Sequence, residues 1–78
     1  MNKYEYKFCV FTNNLRDGVQ FLCSCDSLIK ALKKRDFLQC DGWGCCDIVK
    51  KRFYKGTTTP INKSIYNNYK YSEYDLYV

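Results

Sequence analysis

Between residues 4 and 10 the chain alternates, with Tyr4, Tyr6, Phe8 and Val10 on one side and Glu5 and Lys7 on the other. A period of two is the mark of a half-buried strand. Cys9 and Phe11 make the far end apolar on both sides, which places that end deeper in a sheet. The polar stretch at residues 13–18 supplies turn chemistry, and Gly18 is free to take the positive φ of a tight connection. Beyond it Val19, Phe21 and Cys23 share one side while Gln20, Leu22 and Ser24 share the other. Residues 3–12 and 18–24 are therefore expected to pair as an antiparallel hairpin.

The period then changes. Asp26 or Ser27 caps a helix whose apolar positions Leu28, Ile29 and Leu32 fall at helical spacing, and Lys33, Lys34 and Arg35 close it in the order the helix dipole favours. This helix is expected to bury Leu28, Ile29 and Leu32 against Tyr6, Phe8, Val10, Val19 and Phe21. Asp41-Gly42-Trp43-Gly44 breaks the pattern with an apolar anchor between two glycines. Residues 45–54 return to strand character, with Ile48, Val49 and Phe53 as the buried contacts. Thr59-Pro60 offers a cap and a first helical position for a short helix over about 60–67 carrying Ile61 and Ile65. Tyr74, Leu76 and Val78 repeat at period two, so the C-terminus is either a fourth strand or a loosely held tail over 67–78. The expected architecture is α+β: a small single-layer antiparallel sheet in ββαβ order with one helix on a face, in a single domain spanning residues 1–78.

Length sharpens this reading, because a chain of 78 residues holds one thin core. Its 18% aromatic content offsets that, since each ring buries about 150–250 Å². Tyr4, Tyr6, Phe8, Phe11, Phe21, Trp43 and Phe53 are the candidate core rings. The net charge of +5 is concentrated in residues 26–52, a positive field suited to an acidic protein face or a phosphate backbone. The longest apolar run, Phe8–Phe11, is far below the roughly 20 residues of a membrane helix. Met1–Lys7 lacks the form of a secretory leader, so the expected compartment is the cytosol, where thiols stay reduced.

Six cysteines and no histidine set the chemistry. Without imidazole the chain lacks the usual general base and the commonest metal ligand. Cys23, Cys25, Cys40, Cys45 and Cys46 supply enough thiols for zinc, yet Cys-x-Cys and an adjacent pair are not the spacing of a zinc ribbon or finger. Six cysteines in a short chain also suit a disulfide scaffold, with 15 pairings and none selected. The simpler reading makes most of them core filler, with no metal and no cofactor. Cys25, just before the helix cap, is the best-placed nucleophile, but no acid pair or phosphate loop accompanies it. Enzyme activity is not expected.

What remains is contact. Lys30, Lys33 and Lys34 share a helix face; Lys50, Lys51 and Arg52 form a second basic group; Tyr66, Tyr69 and Tyr71 cluster with Lys70. Tyrosine and arginine are characteristic interface anchors. The leading expectation is a non-catalytic binding protein that inhibits or modulates a protein or nucleoprotein complex, such as a nucleic-acid-handling host defence. Its Asn-, Lys- and Tyr-rich composition is of phage or mobile-element type. The alternatives are a single-stranded nucleic-acid binder with aromatic stacking platforms, a self-associating regulator, and a zinc- or disulfide-stabilised module.

Overall fold

A computed structural model describes residues 3–14 and 18–77 of the chain. The alternating segment forms β1 (Tyr4–Asn14), which pairs antiparallel with β2 (Gly18–Cys25). Gly18 has φ +77°, as its turn position requires. Residues 15–17 of that turn lie outside the described residues, as do Met1, Asn2 and Val78. Val10 faces Cys23 while Phe11 faces Phe21, so Leu22 is the extra residue of a β-bulge.

The third strand, β3 (Cys46–Tyr54), pairs with β1 from Thr12 opposite Cys46 to Tyr4 opposite Tyr54. The order is β2-β1-β3, so the first strand lies in the middle. This explains why the far end of β1 is apolar on both sides: Cys9, Val10, Phe11 and Thr12 are all fully buried. The Thr12 hydroxyl donates to the Trp43 carbonyl at 2.8 Å.

Helix α1 (Leu28–Leu38) starts at Ser27, whose Oγ accepts from the Lys30 N–H at 3.3 Å. Ala31 and Leu32 pack on Val10, Cys46 and Ile48, flanked by Phe8, Leu28 and Leu38. The contact stripe through Leu28, Ala31 and Leu32 follows the three-and-four spacing of one helix face. Ile29 falls off it and is 53% exposed, contrary to the expected burial. The anticipated partners also differ: Tyr6 and Val19 are exposed, and Phe21 belongs to the other side of the sheet. Trp43 is exposed as well, in the loop where Gly42 and Gly44 adopt positive φ.

On the opposite face Cys9, Phe11, Val49 and Phe53 form a second core cluster with Phe21, closed by Ile65. The covering segment is irregular; the short helix expected over 60–67 is absent. Its backbone serves the sheet instead. The Ile61 N–H donates to the Arg52 carbonyl at 3.0 Å, Asn67 takes φ +66°, and Tyr71 bridges to Ile48 with an N–H···O bond of 2.8 Å. That single bridge stands where a fourth strand was an option. The described chain ends in a 3-10 turn (Glu73–Tyr77), and Arg35 of α1 ties to it by bonding Glu73 as well as Asp36. The result is an α+β domain with a three-stranded antiparallel sheet and one helix on a face. Among the described residues no helix is long and apolar enough to cross a membrane.

Candidate binding surface

Helix α1 has 11 residues, about 16 Å of axis at 1.5 Å per residue. Strand β1 also has 11, about 37 Å at 3.4 Å per residue. The helix therefore covers only the half of its face that carries Val10 and Ile48. On the other half the register sets Tyr4 opposite Tyr54, Tyr6 opposite Arg52 and Phe8 opposite Lys50. Aromatic rings and cations thus occupy one continuous strip of sheet.

Its geometry is ordered by contacts among these groups. The Tyr4 and Tyr54 rings lie 5.4 Å apart, and the Arg52 guanidinium sits 4.5 Å from the Tyr4 centroid. The Lys50 ammonium lies 6.0 Å from the Tyr6 ring and 5.6 Å from that of Phe8. Phe8 in turn meets Tyr71 edge-on at 5.2 Å, and Tyr71 meets Tyr69 at 4.8 Å. Tyr6 is 61% and Tyr54 50% exposed, so these rings contact one another and still offer faces to solvent. Cation–π contacts of this kind keep the cations close to the rings.

The candidate contact residues divide among several surfaces. Lys50 and Arg52 join the strip, but Lys51 does not. Strand alternation turns it to the opposite face, where it is 8% exposed and its Nζ donates to the Ser64 carbonyl at 2.6 Å. It holds the covering segment rather than a partner. Tyr69 and Tyr71 extend the strip, with the Tyr69 hydroxyl donating to Asp75 at 2.6 Å. Tyr66 and Lys70 line a cleft of about 520 Å³ on the other face, with Lys63, Val19 and Ile65. Lys30, Lys33 and Lys34 gather around a second cleft of about 520 Å³ beside Ser24, Cys25 and Asp26, with Phe37 on its wall. Lys7 lines it too, although its ammonium turns away toward Glu5 and the Phe53 ring.

Tyr4, Tyr6 and Tyr54 are candidate contact residues that the composition argument assigned to the core or passed over. Part of their signal was in the sequence, where Lys50 and Arg52 alternate with Lys51 as Tyr4 and Tyr6 alternate with Glu5, but only the β1–β3 register puts the two sets on one face.

All six thiols are free. Burial pushes the Cys9 thiol up to about 12 and the Cys23 thiol up to about 11, so both stay protonated near neutral pH. Cys40 and Cys45 are exposed, on the turn and the approach to β3. Among the described residues no three Cys, Asp or Glu side chains gather as a metal site. Compared with known proteins, the chain matches no family model, no curated protein and no solved structure.

Proposed function

We propose that this is a small non-catalytic binding protein whose aromatic and basic strip receives a single-stranded nucleic acid. One observation carries the reading: Tyr4, Tyr6 and Tyr54 present rings on two adjacent strands, with Lys50 and Arg52 interleaved at the same faces. Bases stack on such rings whatever their identity, and the interleaved cations meet the phosphates between them. The net charge of +5 favours the same polyanion. A second reading, a modulator of phage or mobile-element type that grips a protein within a nucleic-acid-handling complex, is favoured by the place of β2 at the edge of the sheet.

The test is a titration of a fluorescent oligothymidylate at several salt concentrations. Two phosphates neutralised by Lys50 and Arg52 give a slope of log K against log salt of about −1.4, at roughly −0.7 per contact for single strands. Affinity that does not change with salt, or no binding at protein concentrations of about 100 μM, refutes the reading.

A further inference from the structure

The two edges of the sheet are treated differently. On the outer edge of β3, the carbonyls of Ile48 and Arg52 accept from Tyr71 and Ile61, so the C-terminal segment occupies it. The outer edge of β2 receives no such bond among the described residues. It runs eight residues, Gly18 to Cys25, about 27 Å of backbone at 3.4 Å per residue. Unpaired edges template further pairing, and proteins ordinarily blunt them with lysine, proline or a cover. Here Gly18-Val19-Gln20-Phe21-Leu22-Cys23-Ser24-Cys25 contains no charge and no proline, while β1, α1 and β3 all carry charged residues.

The surroundings of this edge specify the guest. At its C-terminal end, beside Ser24 and Cys25, stand Lys30, Lys33 and Lys34 with Asp26 as the single acid. At its N-terminal end, beside Val19 and on the other face, stand Lys63 and Lys70, and no acid lines this cleft among the described residues. A strand laid along β2 sends alternate side chains to opposite faces, so its carboxylates would reach both basic clefts. A second copy of this chain brings Gly18, Val19 and Gln20 to the lysine cleft in an antiparallel pair, none of them acidic. A nucleic acid has no backbone amides to pair with the edge.

We infer that the edge of β2 receives an extended, acidic peptide segment of a partner protein as a fourth strand, with its carboxylates in the two lysine-lined clefts. Main-chain hydrogen bonds supply affinity and the clefts supply selectivity, the usual division in strand addition. This contact is separate from the aromatic strip and does not depend on nucleic-acid binding there.

The probe is the capped eight-residue peptide Glu-Val-Glu-Val-Val-Glu-Val-Glu, whose glutamates face one side at one end and the other side at the other end, titrated into isotope-labelled protein at neutral pH and followed by amide hydrogen exchange. Alternate amides within Gly18–Cys25 should gain protection, while the amides of Tyr4, Tyr6 and Tyr54 keep theirs unchanged. Reversing two lysines, Lys30→Glu with Lys33→Glu, should weaken the peptide about tenfold, because two exposed attractions become repulsions. Both positions are solvent-facing, and an unchanged melt of the variant verifies its fold. A peptide N-methylated at every second residue should lose at least about tenfold through its missing edge bonds. The inference is overturned by equal binding of the N-methylated peptide, by equal binding of a valine–lysine peptide, or by protection mapping away from β2. It is likewise overturned if sedimentation shows a dimer whose β2 amides are already protected without peptide. Loss of oligothymidylate binding with peptide binding intact sinks only the nucleic-acid reading, and the reverse sinks only this one.

Discussion

Lys51→Met separates a structural lysine from a contact lysine within one basic run. The methionine keeps the apolar stem among the buried groups and removes the ammonium, which donates to the Ser64 carbonyl at 2.6 Å and reaches Asn68 Oδ1 at 3.5 Å. The shorter bond is charge-assisted and worth about 1.5–3 kcal/mol; the longer one, at the limit of the geometry, adds little. Against that loss stands a relief, because Lys51 lies directly across from Lys7 in the β1–β3 register and like charges so placed repel by a few tenths of a kcal/mol or more. The balance is a destabilisation of about 1–2 kcal/mol. At roughly 0.05–0.15 kcal/mol per residue the whole domain holds about 4–12 kcal/mol, so this is a sizeable share. At about 4–8 °C per kcal/mol, Tm should fall by roughly 4–16 °C. Lys50→Met, one residue away on the open face, loses only cation–π contacts worth about 0.5–1 kcal/mol at exposed sites. Thermal melts by circular dichroism compare the pair, and hydrogen exchange at the Ile61 and Tyr71 amides shows whether the covering segment loosens. A Lys50 variant that falls as far as the Lys51 variant, or a Lys51 variant with unchanged exchange at both amides, refutes the reasoning.

Tyr6→Ala combined with Tyr54→Ala should weaken oligothymidylate binding by about 2 kcal/mol or more, given about 1–3 kcal/mol per stacked base. Both rings are half or more exposed, so the melt should move little, and an unaltered titration curve would count against the strip as the site. The Glu73 carboxyl is held below its ordinary value of 4.5 by the Arg35 guanidinium that bonds it. A depressed folded-state pKa means that its stabilisation is present above pH 4.5 and is lost as pH falls through the lower folded value. The 3-10 turn at Glu73–Tyr77 should therefore detach in acid. Amide exchange at Asp75 recorded down to roughly pH 2 reports this, and detachment at neutral pH would contradict it. In timed alkylation with peptide mapping, exposed Cys40 and Cys45 should react first and Cys9 last, since Cys9 is buried with its thiol pushed up to about 12. Modification of Cys9 ahead of Cys40 would show that the central strand opens readily.

Local pattern by itself determined the three strands and the double burial at Cys9 to Phe11, and narrowed the helix cap to Asp26 or Ser27, because period and capping are written in neighbouring residues; the fold chose Ser27. It also contained the separation of Lys51 from Lys50 and Arg52, since successive strand residues face opposite sides; reading the three as one charge cluster ignores that parity. Tertiary structure decided the rest. Periodicity tells which residues share a face but not how much of the face is covered, and a short helix on a longer strand leaves Tyr6 and Tyr54 exposed and Tyr4 half-buried. Nor does it tell strand order. Placing β1 between β2 and β3 made β2 an open edge, and the backbone bonds of Ile61 and Tyr71 to β3 displaced the helix and fourth strand that residues 60–78 suggested. Those outcomes depend on partners distant in sequence, where the competition for each backbone hydrogen bond is resolved only in the folded chain.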